Sequence, residues 1–208
     1  IAHGGGAYVT ASSAITMTRT TVQGHIAPSP SFGRGAGLYV SDSRVVLDNS
    51  QVISNTAGMN GGGLRLLGLS TLNAINGSVI RDNRSNNGDG GGVAASGTAT
   101  IHFQDVTLQH NQAATNGGAV STNAGALNFT GWLDLRYNHA GGNGGALAIS
   151  GTANLSIIAS GAASHLSANT AGGNGGAIYL NNNTTIELYA TSGVALNLST
   201  NSASGDGG

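Results

Sequence analysis

The sequence predicts an all-β chain: a right-handed parallel β-helix with three strands per coil and about seven coils. Three observations carry this. A glycine box recurs along the whole chain. Short runs with apolar–polar alternation follow each box. An asparagine stands at a nearly constant distance before the next box.

The box is clearest in Asn174-Gly175-Gly176-Ala177-Ile178-Tyr179-Leu180, and its third residues are Gly6, Gly37, Gly63, Gly92, Ala119, Ala146 and Ala177. They are spaced by 31, 26, 29, 27, 27 and 31 residues. Such a repeat is too short for one domain per unit and suits one turn of a solenoid. Gly in the box supplies positive φ and close backbone approach.

Three strand-like runs follow each box. In the last full repeat they are Ala177 to Leu180, Thr184 to Leu188 and Val194 to Leu198, broken at Asn181-Asn182-Asn183 and Thr191-Ser192-Gly193. Period-two alternation marks half-buried strands, and no helical period competes. One residue after the anchor stand Ala7, Leu38, Leu64, Val93, Val120, Leu147 and Ile178, a column expected to point inward. The next column, Tyr8, Tyr39, Arg65, Ala94, Ser121, Ala148 and Tyr179, is expected to point outward into solvent. The third run ends in Val52, Ile80, Leu108, Leu135, Leu166 and Leu198, each three residues before an Asn.

Those asparagines, Asn55, Asn83, Asn111, Asn138, Asn169 and Asn201, are read as a structural ladder. Stacked amides bond the backbone and one another from coil to coil. The loop that follows ends in Asn60, Asp89, Asn116, Asn143, Asn174 and Asp206. The first repeat departs, with His25 in the Asn position and Pro28 and Pro30 in its loop. Crossovers between parallel strands are right-handed, which sets the expected hand. Seven coils stacked like neighbouring strands would make a rod about 35 Å long.

Residues 1–208 read as a single continuous array. Its opening phase, His3-Gly4-Gly5, is also its closing phase, Asp206-Gly207-Gly208, and neither is preceded or followed by a polar cap. The expectation is an interior segment of a longer β-helix, or a filament subunit stacked end to end on copies of itself.

Charge is scarce: 7 Arg and no Lys against 8 acidic residues, a net charge of -1. That gives no basic footprint for nucleic acid and no polybasic membrane patch. No apolar run reaches spanning length. Cysteine is absent, so no disulfide framework or thiolate site is expected.

The glycine and asparagine boxes resemble those of the polymorphic outer membrane proteins, and of very large secreted β-helix proteins of bacteria. The residues that carry the resemblance are Gly118-Ala119-Val120, Gly145-Ala146-Leu147 and Gly176-Ala177-Ile178, with Leu108-x-x-Asn111 and Leu135-x-x-Asn138. Leu, Ile or Val stands where that family's second box usually has Phe. The resemblance implies a bacterial cell-surface or secreted passenger, used in adhesion or as surface architecture. Surface glycans and proteins of host or neighbouring cells are the partners it implies.

Enzymes are also built on this fold class, and they need clustered carboxylates, or carboxylates holding Ca²⁺. Asp48, Asp105 and Asp134 fall in different columns, and Glu187 stands alone, so they read as solvated surface. His110 is expected above Asp82, with His102 on the same strand pair, but no third ligand is spaced to join them. His3, His25, His139 and His165 fall in corners or loops. Asp89 and Asp206 lie in glycine-rich loops, where Asn fills the other slots, against a calcium repeat. Thr forms no outward column, against an ice-binding face. Sequons at Asn128 and Asn183 follow from composition.

No catalytic, cofactor or metal residue is therefore assigned. Tyr8, Tyr39 and Arg65 form the candidate binding stripe, with Tyr39 and Arg65 placed for a cation–π pair. The expected function is a non-enzymatic surface or secreted β-solenoid, an adhesive stalk or filament element. The alternative is a fragment of a polysaccharide lyase or hydrolase.

Overall fold

A computed structural model describes residues 3–123, 125–182 and 184–207. The described residues form 26 strands in three parallel sheets, stacked as a β-solenoid of about seven turns, with no helix.

The first sheet holds the run after each glycine box. Its seven strands stack in chain order: Ala7–Val9, Leu38–Ser41, Leu64–Leu67, Val93–Ala95, Val120–Thr122, Leu147–Ile149 and Ile178–Leu180. The second sheet is broader and holds both later runs of every coil. In coils four and five those runs fuse into single strands, Thr100–Gln109 and Ala126–Arg136. A register shift between Gln104 and Val106 marks where they join. The third sheet is narrow. It stacks the dipeptides Ile26–Ala27, Thr56–Ala57, Arg84–Ser85, Gln112–Ala113, His139–Ala140, Thr170–Ala171 and Ser202–Ala203.

The three sheets match three strands per coil, but the sequence runs map onto them differently. Runs two and three share one sheet. The third sheet lies just after the Asn, in a segment that reads as loop. Two residues are too few to show alternation, so periodicity has nothing to detect there.

The register stacks like on like. Leu64, Val93, Val120, Leu147 and Ile178 follow one another. So do Leu72, Ile101, Leu127, Leu155 and Ile186 on the broad sheet. Phe103 sits under Phe129, with ring centroids 5.0 Å apart. Each buried Leu or Ile contributes about 1.5–3 kcal/mol relative to exposure. One hydrophobic cluster runs through the coils from Val9 to Leu166. It opens in the last coil, where Leu188 and Leu198 are exposed.

The corners show why the box needs glycine. Gly61, Gly90, Gly117 and Gly144 have φ between +63° and +72°. A Cβ there would meet the carbonyl oxygen three residues on at 2.2 Å. The second glycine is needed for a different reason. A Cβ on Gly91 would lie 2.5 Å from the backbone of Gln112, in the narrow sheet of the next coil. Coil two holds Ala36 in that slot, packed with Ala27 and Ala57.

A further corner is not written in glycine. The residues before the ladder asparagines are Ser54, Asp82, His110, Tyr137, Ala168 and Thr200, with φ from +53° to +59°. For a non-glycine residue this conformation costs roughly 1–2 kcal/mol. The asparagine that follows offsets it by hydrogen bonding.

Candidate functional site

Two side-chain ladders run along the solenoid. In the first, Asn55, Asn83, Asn111, Asn138 and Asn169 are fully buried. Each donates from Nδ2 to Oδ1 of the next, at 3.0–3.1 Å, ending on Asn201. The backbone N–H donates to the same oxygen. A second Nδ2 bond reaches back to Val22, Val52, Ile80, Leu108 and Leu135 carbonyls one coil earlier. The amides are thus satisfied internally, which a buried polar column requires. His25 enters through its backbone N–H, 3.0 Å from Asn55 Oδ1.

The second ladder occupies the loop before the box. Asn60, Asp89, Asn116, Asn143 and Asn174 each accept the backbone N–H of the equivalent residue in the next coil, at 2.8–3.0 Å. Buried serines do similar work on the broad sheet. The N–H of Ser50 donates to Ser78 Oγ at 3.1 Å, and that of Leu133 to Ser164 Oγ at 3.1 Å. The serines recur only over neighbouring coils, Ser43 with Ser70 and Ser50 with Ser78, a run too short to stand out among the chain's other serines, so sequence reasoning missed them.

Between the second ladder and the edge of the first sheet lies a groove of about 280 Å³. Its floor is the central column expected to be solvated: Ala94, Ser121 and Ala148. Asp89, Asn116 and Asn143 line it on the ladder side, and Ser96, Asn123, Ser150 and Asn181 on the other. Arg65 lies at one end and Tyr179 at the other. The column does face away from the core, but Tyr39, Arg65, Ala94 and Ala148 are only 8%, 9%, 1% and 5% exposed. The flanking loops rise above the sheet and shield these side chains, a relief that strand alternation does not encode.

The candidate stripe is a stack. The Tyr8 and Tyr39 rings lie 4.9 Å apart and nearly parallel, and His3 stacks on Tyr39 at 4.7 Å. Tyr8 is exposed, whereas Tyr39 is buried. Burial, then Tyr8, pushes the Tyr39 hydroxyl up. Among the described residues the cation–π contact is Arg136 over Tyr137, at 6.0 Å, and not Tyr39 with Arg65. Arg65 Nη2 instead donates to Ser96 Oγ at 2.7 Å, drawing the guanidinium across the groove. Burial, and then the charge of Arg34, brings Arg65 down to about 10. Burial and Arg34 likewise lower His3.

The other acidic and histidine residues are dispersed. Asp48 accepts from Asn76 Nδ2 at 2.8 Å, and Asp105 from the Trp132 N–H at 3.0 Å. Asp134 binds Arg136 through two bonds of 2.5 and 2.6 Å. Asp82 pairs with Arg81, while His110 stacks on Tyr137 at 5.0 Å. His102 is aligned with Asn73 and Asn128, His165 with Asp134 and Asn197. His139 Nδ1 lies 2.7 Å from Thr170 Oγ1. Glu187 is aligned with Ser156. Asn128 is half-buried within a strand, and Asn183 lies outside the described residues. Among the described residues no three His, Cys, Asp or Glu gather into a set fit for a metal ion, and no helix is long and apolar enough to cross a membrane. No family model, curated protein or solved structure matches the chain.

Proposed function

We propose that this chain is a non-enzymatic β-solenoid of a bacterial surface or secreted protein, serving as an adhesive stalk or extracellular filament element. The groove on the first sheet is the observation that carries the reading. It offers amides and hydroxyls coil after coil, a lining suited to holding a ligand. Its carboxylate, Asp89, already accepts from Thr115 Oγ1 and from the N–H and Nδ2 of Asn116. A lyase- or hydrolase-like mechanism would need a second carboxylate opposite Asp89. Asn123 and Ser96 occupy that side. The likeness of its boxes to polymorphic outer membrane proteins supports the same reading. Further coils, or copies of the chain, are its proposed partners along the axis, and glycans or proteins of other cells its partners at the side.

The test uses the purified chain on beads, presented to cell surfaces and, in parallel, to soluble polysaccharides. Attachment without new chain ends is the expected result. Release of new reducing or unsaturated ends would replace this reading with the enzymatic one.

A further inference from the structure

We propose that the groove seats a linear acidic glycan, with a carboxylate of the glycan held by Arg65. The inference rests on the adhesive reading above and names its ligand class.

The starting observation is a set of orphans. Among the described residues, three buried side-chain nitrogens or oxygens have no hydrogen-bond partner: His3 Nδ1, Arg34 Nε and Arg65 Nε. All three belong to one patch. His3 and Arg34 are paired across adjacent coils, and Tyr39 is aligned with Arg65 and stacked on His3. Arg65 is about nine-tenths buried and still lines the groove. Asp89, on the ladder side of the same groove, acts on Arg65 through its charge but makes no ion pair with it, and a buried cation without a direct partner is costly. The ion pairs among the described residues are Arg81–Asp82 and Arg136–Asp134, neither involving this patch. Arg65 holds Ser96 through Nη2 and leaves Nε without a partner at the end of the groove, and a carboxylate matches that guanidinium edge in charge and geometry.

The rest of the groove selects the polymer. It runs along the stacking axis, across the strands. From Arg65 to Tyr179 it spans four coil steps, about 19 Å at the usual strand spacing. Along that length the backbone N–H groups of the flanking ladder are already bonded from coil to coil. A peptide adding itself as a strand would need an open row of backbone groups, and this row is closed. What remains are side-chain amides and hydroxyls, at Asn123, Asn143, Ser121 and Ser150, repeating once per coil. A chain of hydroxyl-bearing rings uses such groups, and the small floor at Ala94 and Ala148 leaves room for rings. Tyr179 supplies an aromatic face at the far end.

The experiment measures binding of the folded chain to hyaluronan and alginate, to their carboxyl-reduced neutral forms, and to poly-glutamate. At least one uronate polymer should bind, its neutral form and poly-glutamate at least about tenfold more weakly. Arg65→Gln should weaken uronate binding by about 10–100-fold, the value of a charged hydrogen bond. Ser121→Trp should abolish binding while leaving every charge in place. That column already holds Tyr in three coils, so the fold tolerates a large ring there. Arg44→Gln, on the exposed side of the broad sheet, should change nothing. Failure to bind either uronate polymer overturns the proposal, as does binding that ignores Ser121→Trp. Equal or tighter binding of poly-glutamate reassigns the groove to acidic peptides and also overturns it. Surface attachment that survives both groove variants sinks the glycan assignment alone and leaves the adhesive reading standing.

Discussion

Asn138 and Asn169 are joined twice in the buried corner of successive coils. Both Nδ2 and the backbone N–H of Asn138 reach Oδ1 of Asn169, at 3.1 and 2.9 Å. Asn138 in turn accepts the same pair of bonds from Asn111. Its second amide hydrogen is shared by the Leu108 and Arg136 carbonyls. One residue thus links three coils and holds the preceding Tyr137 in its left-handed conformation.

Asn138→Ala should therefore leave buried donors and acceptors unpaired, at about 1–3 kcal/mol. In a chain of this size that lowers Tm by about 2–4 °C per kcal/mol. Asn138→Asp should be worse. It keeps an acceptor but faces the Leu108 carbonyl and Asn169 Oδ1 with a buried charge. Thermal melts of the three proteins check the order; an aspartate variant as stable as the parent would contradict the ladder's energetics.

Leu135 tests the core column. It is fully buried between Leu108 and Leu166. Leu135→Ala should cost about 2–5 kcal/mol through lost burial and a residual cavity. Leu198 continues the same column but is 48% exposed. Leu198→Ala should cost less than about 1 kcal/mol, because most of the transfer term is absent. Chemical denaturation separates the two, and equal losses would mean that burial does not differ along the column.

Glycine substitutions separate space from backbone conformation. Gly91→Ala drives a methyl into the Gln112 backbone at 2.5 Å, and should cost about 1–3 kcal/mol or more. Gly77 has φ +78° with nothing within 4 Å of an added Cβ. Gly77→Ala should cost only the left-handed penalty, about 1–2 kcal/mol. A Gly77 variant less stable than the Gly91 variant would contradict this division.

The parts legible in sequence were those that repeat with a chemical signature. Leu64, Val93 and Val120 recur once per coil, and each opens a run that alternates with period two, so strands and coil number follow from them. Asn83 and Asn111 recur at a fixed phase, so a column could be drawn. The narrow sheet left no such mark, since Arg84–Ser85 and Gln112–Ala113 share little beyond their place. The left-handed corner was hidden too. Its conformation is imposed by the next residue's hydrogen bonds, so Asp82, His110 and Tyr137 all occupy it. The groove was the largest omission. Depth beside Ser121 depends on how far the loops at Asn116 and Asn123 rise, which no single-residue pattern states. The orphaned Arg65 follows from that depth: on an open strand face water would have satisfied it.

His3 should show a pH dependence of definite sign. Burial first, and Arg34 second, lower its pKa in the folded chain below the ordinary 6.5. The unfolded chain therefore binds the proton more readily than the folded one. Stability from a neutral His3 is present above about pH 6.5 and is lost as pH falls through the lower folded value. Arg34→Gln should move the folded value part of the way back, since the larger cause, burial, remains. Proton NMR titration of the His3 ring reads both; a folded value above 6.5 would contradict the assignment.

The last prediction concerns the open face of the final coil. Its strands, Ile178–Leu180, Thr185–Ala190 and Leu196–Ser199, are each paired on one side only among the described residues. Leu188, Tyr189 and Leu198 are 43%, 60% and 48% exposed there. Unpaired strand edges beside apolar side chains are templates for another coil. The 208-residue chain in isolation should therefore self-associate, with an average mass that rises with concentration in light scattering. Replacing Leu198 and Leu188 together by Arg should suppress that rise, since charges buried in a stacked interface lose hydration without gaining a partner. The double substitution lies outside the continuous buried cluster, so it should leave the melting of the inner coils in place. A parent chain that stays monomeric across a wide concentration range would refute end-to-end stacking through this face. A double variant that associates as strongly as the parent would place the contact elsewhere.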